Sequence, residues 1–136
     1  MITPDQRKHL ISIRLQQAEE CIADVELSLA NARHRNAANR IYYGMFYALL
    51  ALGVLHDFDT SKHQQLIGWF NKNFVHTGIF SKHFSALIKR AFDTRTVADY
   101  KATAPPTAED LETMLADMKL FISTVKTYLD EQLRAE

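Results

Sequence analysis

The sequence predicts an all-α protein, an antiparallel up-and-down bundle of about five helices. Three observations carry this. Four Gly and three Pro among 136 residues leave too few turn residues for the many short strands of an all-β fold. Two long segments, one near each end of the chain, repeat apolar residues at alternating steps of four and three. Between them, Asn36 to Leu55 is apolar on nearly every face, the mark of a buried central helix. At this length the chain reads as one domain, residues 1–136, large enough to bury a core without staples.

Thr3-Pro4-Asp5-Gln6 opens the first helix, with Thr3 as N-cap, Pro4 at the first helical position and Gln6 closing a capping box. Its seam is Ile11, Leu15, Ala18, Ile22, Val25, Leu29 and Ala32, which predicts a helix over roughly residues 4–33. The buried helix follows, and LHDFDT after it reads as a turn. Ser61 with Gln64 then caps a third helix, whose inner face is Leu66, Ile67, Phe70 and Phe74, extended by His63. Gly78 is a natural C-cap residue, and Ser81 starts a fourth helix that ends before Pro105-Pro106. Thr107 to Asp110 caps the last helix, with Leu111, Leu115, Met118, Ile122, Val125 and Leu129 on its seam.

Zero net charge conceals an uneven distribution. Residues 31–101 carry ten Lys/Arg against four Asp/Glu, and five of the six histidines. Both flanking segments are net acidic. A basic centre fits an anionic partner such as RNA or a nucleotide phosphate, and equally a set of solvated faces. The single Cys21 excludes an internal disulfide and reads as a small core residue beside the first seam. The longest apolar run, Ile41 to Leu55, is about a turn short of a membrane span. A cytoplasmic protein with no membrane association is expected. The histidines are scattered and no glycine-rich phosphate loop occurs, so no metal and no cofactor is expected.

What remains is a set of polar residues at the ends of helices. Arg40 and Tyr43 open the buried helix, Lys62 and His63 open the third, and Arg95, Asp99 and Tyr100 close the fourth. Arg95 and Asp99 stand four apart on a stripe that is otherwise apolar. That spacing gives an ordinary helix ion pair, worth a few tenths of a kcal/mol, or the edge of a site. A buried arginine is costly to desolvate unless carboxylates satisfy it, which makes the group more informative than its members.

The segments AANRIYYGMFYAL, SKHQQLIGWFNKNF and KRAFDTRTVADY, in this order, resemble the HEPN domain, and more narrowly the small stand-alone bacterial and archaeal HEPN proteins. The resemblance covers about residues 5–132. It implies a helical bundle, usually a homodimer. It also implies a relation to toxins paired with nucleotidyltransferase antitoxins, whose enzymes can adenylylate a tyrosine near the motif. In the family's ribonucleases an arginine near the end of the fourth helix is followed one to two turns later by a histidine. Two such motifs meet across the dimer to act on the RNA 2′-hydroxyl and phosphate. Here Arg95 fits the arginine, but Tyr100 stands where histidine is wanted. A phenol of pKa near 10 is a poor base at neutral pH. His63 or His83 could substitute only if the fold brings one beside Arg95.

The expectation is therefore an RNA- or nucleotide-binding HEPN protein working with a nucleotidyltransferase. Arg40, Tyr43, Lys62, His63 and Arg95 would form its binding face, and Tyr100 would be the candidate for modification. One alternative is an active metal-independent endoribonuclease toxin using Arg95, Asp99 and Tyr100. The other is a non-catalytic dimeric helical module.

Overall fold

Capping and periodicity place the elements where the sequence puts them. A computed structural model describes residues 2–100 and 105–136, the side chain of Tyr100 excepted. Its helices are α1 (Pro4–Ala30), α2 (His34–Leu55), α3 (His63–Phe70), α4 (Lys82–Tyr100) and α5 (Ala108–Arg134). No strand occurs among the described residues. A π-helical turn, Asn71–Val75, extends α3. The all-α bundle expected from the sequence is what forms.

The Thr3 hydroxyl accepts the Gln6 N–H at 3.1 Å and the Gln6 side chain accepts the Thr3 N–H at 2.9 Å, completing the expected box. Thr107 likewise accepts the Asp110 N–H at 3.1 Å. These caps are local chemistry and need no tertiary help. The stripe of α1 differs in part from the expected one. Cys21 and Ser28 are buried beside Ile11, Leu15, Ala18 and Val25, while Ile22 and Leu29 pack at its edge and Ala32 lies in the turn with φ 54°. The reason is close approach. A Cβ placed on Gly44 of α2 would stand 3.2 Å from the Cβ of Cys21, so small residues occupy the line of nearest contact.

Pairs across the helices fix their directions. Arg7 meets Asp57 while Ser28 meets Asn36, so α1 and α2 run oppositely. Asn39 meets Asp99 while Tyr43 meets Arg95, so α4 opposes α2. Lys126 meets Glu19 and Lys119 meets Glu26, so α5 opposes α1. Thirteen of the 22 residues of α2 are buried, which makes it the central helix. No described helix is long and apolar enough to cross a membrane.

The link between α2 and α3 decides what the site contains. The Phe58 N–H closes back on the Gly53 carbonyl at 2.9 Å, and Asp57 takes φ 56° to allow it. A Cβ on Gly53 would stand 2.6 Å from the Phe58 carbonyl oxygen, so the close return requires glycine. The Phe58 ring then stacks on Trp69 at 4.7 Å. As a result α3 begins back beside the middle of α2, with His63 against Phe46, and runs toward His56 at the end of α2. The expected Ser61–Gln64 cap is absent. Lys62 is the N-cap without a side-chain bond. Thr60 braces the turn before it, accepting the Lys62 N–H at 3.2 Å and donating to Gln65 at 2.7 Å. Beyond α3, Phe70, Phe74, Phe80, Phe84, Phe121 and Tyr128 form an aromatic cluster that anchors α3 on α5.

Candidate functional site: an arginine–tyrosine–histidine cluster

The end of α4 delivers Arg95 onto the face of α2. Its side chain is only 13% exposed, and its Nε lies 2.9 Å from the Asp99 carboxylate one turn on. Its Nη2 donates to the Tyr43 hydroxyl at 3.1 Å. The guanidinium carbon lies 5.3 Å from the Tyr43 ring centre and 5.5 Å from that of Tyr42. A guanidinium over two phenol rings, with one carboxylate beside it, is held rigidly and stays charged.

Arg40 approaches Tyr43 as well, with its guanidinium carbon 5.1 Å from the ring centre. The Asn39 side-chain oxygen accepts from Arg40 Nε at 3.0 Å and Nη2 at 2.7 Å. The Asn39 amide in turn donates to Asp99 at 3.2 Å. Asn39 thus ties the two arginine systems together. Two guanidinium groups stand against one carboxylate, so the cluster keeps a positive surplus. Arg40 also reaches Cys21, its Nη1 3.9 Å from the sulfur. Burial raises the Cys21 thiol pKa and Arg40 only partly opposes this, so it is no reactive thiolate.

His63 enters from α3. Its Nδ1 lies 2.9 Å from the Tyr42 hydroxyl, and its ring packs on Phe46 at 4.3 Å and edge-on to Tyr43 at 5.7 Å. Burial lowers the His63 pKa from its ordinary 6.5, and the Arg95 charge lowers it further, so the ring is neutral at physiological pH. Tyr42 is fully buried. Burial raises its pKa strongly, outweighing the opposite pull of Arg95, so the phenol stays protonated. His63 and Arg95 therefore flank the same two tyrosines, close enough for the charge of one to act on the other.

Of the residues singled out in the sequence, Arg40, Tyr43, His63, Arg95 and Asp99 come together. Lys62 is exposed at the start of α3 and makes no described contact with the cluster. His83 is exposed at the other end of α4, against Phe84. Tyr100 ends α4, and its side chain lies outside the described residues. Asn39 and Tyr42 were not anticipated in the site. The signal for Tyr42 was available, because a phenol inside an all-apolar helix needs a partner for its hydroxyl. Among the described residues no group of three or more His, Cys, Asp or Glu is placed to hold a metal ion.

The family model of the HEPN domain matches residues 11–128, most of the chain. The chain belongs to the HEPN domain family. Among its relatives is a protein named "UPF0332 protein" of Thermotoga maritima, 29% identical over 131 residues, covering 96% of this chain and 99% of the relative. Two proteins of Methanocaldococcus jannaschii carry the name "Putative toxin". One is 27% identical over 133 residues, covering 98% of each chain. The other is 30% identical over 115 residues, covering 85% of this chain and 78% of the relative. The cluster lies within the matched HEPN region.

Proposed function

We propose that this HEPN protein binds RNA through the phosphate backbone, at the face made by Arg95, Arg40 and Tyr43, in a toxin-like two-component system. The observation that carries this reading is the Arg95 guanidinium, fixed by Asp99 and the Tyr43 hydroxyl and laid over two phenol rings. Such a group is already ordered and partly desolvated, so an incoming phosphate meets a charge that need not reorganise. Half-buried Tyr43 and Tyr47 lie on the same side of α2 and offer rings on which a base can stack. Clefts of the surface lie elsewhere, as between α1 and α5 at Lys8, Ser12, Lys126 and Asp130. An open face suits a strand better than it suits a small nucleotide. The relatives' toxin names point the same way.

The test is titration of single-stranded RNA into the purified protein at two salt concentrations. Affinity that falls steeply with salt supports the reading. Absence of binding, or binding indifferent to salt, refutes it.

The same proposal includes a homodimer and a nucleotidyltransferase partner, with Tyr100 as acceptor of its adenylyl group. Incubation with such an enzyme and ATP should add one adenylyl group, seen by intact mass and lost in Tyr100→Phe. A modification that persists in that variant excludes Tyr100.

A further inference from the structure

We infer that the groove between α3 and α4 is a base-reading subsite, which takes an adenine of the bound RNA and recognises it through the side-chain amide of Asn71. This rests on the proposed RNA binding at the cluster and gives that binding a sequence preference. The groove holds about 320 Å³, at the lower end of the roughly 300–1,000 Å³ usual for ligand pockets. That is space for one planar ring system rather than for a whole nucleotide.

Gly68 opens this space from the α3 side. Glycine weakens a helix relative to alanine, and neither packing nor backbone requires it here. Gly44 and Gly53 are explained by close neighbours and Gly78 by its φ of 82°, but a Cβ on Gly68 would meet nothing within 4 Å. Half-buried Ile67 and Phe92 give the groove apolar walls for a flat ring. Lys89 and Asp93 at its rim pair with each other at 2.8 Å, so they add no net charge and favour a neutral base over a phosphate. The groove also adjoins the cluster. The Phe92 ring meets Tyr42 edge to face at 5.4 Å, Arg95 follows Phe92 by one turn of α4, and Gln64 of the groove follows His63. A strand whose phosphate meets Arg95 therefore continues over it.

Asn71 supplies the recognition. It lines the groove at the start of the π-helical turn, a kind of turn frequent at functional sites. Its Oδ1 is buried and has no hydrogen-bond partner among the described residues. A buried acceptor left unmade is costly, and native proteins hold few of them. The amide turns about a soft torsion, so its edge can meet the edge of a base. Oδ1 then accepts the adenine N6–H while Nδ2 donates to N7, the pairing by which an asparagine singles out adenine. Guanine carries O6 in place of the amino group and would leave Oδ1 unpaired, and the pyrimidines have no N7.

The experiment titrates short fluorescent homopolymers of adenylate, 7-deazaadenylate and uridylate into the wild-type protein, Asn71→Ala and Gly68→Leu, with a thermal melt of each. Wild type should bind the adenylate strand about 5- to 150-fold more tightly than the other two, the discrimination of one good bidentate pair. The 7-deaza base stacks much as adenine does but has carbon in place of N7, so it separates reading of the base edge from stacking on the tyrosines. Gly68→Leu fills the groove from an exposed helical position with open space around it, so the fold should stay while the preference is lost. Its affinity for the uridylate strand should be unchanged, and Asn71→Ala should behave in the same way. Equal affinity of wild type for adenylate and uridylate, or a preference that survives the 7-deaza replacement or Gly68→Leu, overturns the inference and spares the binding reading. No binding of any strand overturns both.

Discussion

Arg95→Ala is expected to weaken single-stranded RNA binding about 10- to 150-fold, the ~1.5–3 kcal/mol of a hydrogen bond to a charged group. The slope of log affinity against log salt should fall by about one, because one phosphate contact is lost. The effect should be large because Arg95 does not act as a free surface charge. It is 13% exposed, paired with Asp99 at 2.9 Å, bonded to Tyr43 and stacked over two rings. Arg95→Lys keeps the charge but loses the planar fork and the stacking, so it should recover only part of the affinity. Thermal melts of both variants separate a binding defect from a folding one. Full affinity in Arg95→Ala with an unchanged salt slope would mean that RNA binds elsewhere.

The second large effect falls on stability. Phe70 is fully buried, with Phe74, Phe80 and Phe121 each 5.8 Å away between ring centres. Phe70→Ala removes the ring that pins α3 to α5, at a cost of about 3–5 kcal/mol. That is a large share of the ~5–15 kcal/mol that holds a domain folded. Phe70→Leu keeps most of the volume and should cost less than about 1.5 kcal/mol. Urea unfolding followed by the single tryptophan checks this directly, since Trp69 neighbours Phe70 and stacks on Phe58. The consequence reaches the cluster, because α3 carries His63. A Phe70→Ala protein as stable as wild type would show that the aromatic cluster does not anchor α3.

What was legible in the sequence was chemistry confined to a few neighbouring residues. The Thr3–Gln6 box and the Thr107 cap formed as read, because a hydroxyl reaching an N–H three residues away depends on nothing distant. The apolar run of α2 announced its central place for a similar reason. Errors began where neighbours compete. Cys21 and Ile22 are equally good candidates for one stripe, and the approach of Gly44 decided between them. Ser61 and Lys62 are both placed to begin α3, and Lys62 took the N-cap position while Thr60 bonds the turn before it.

The cluster was half legible. Its members sit at helix ends, which any bundle can bring together, and Arg40, Tyr43, His63, Arg95 and Asp99 were named from that alone. That His63 joins Arg95 while His83 does not follows from the backward return between Gly53 and Phe58, a matter of tertiary packing. The same return turns Tyr42 from an apparent core aromatic into the partner of a histidine. Asn39, one polar residue at the start of an apolar helix, proved to be the bridge between Arg40 and Asp99.

The central claim is that RNA lies on the Arg95 face. Ultraviolet crosslinking of a uridine-rich single strand, followed by peptide mapping, tests it most directly. Adducts are predicted on the segment from Arg40 to Tyr47 and at His63, at most weak ones on the exposed lysines, and their loss in Arg95→Ala. Adducts spread over those lysines and unchanged in Arg95→Ala, or no adduct at all, would contradict it.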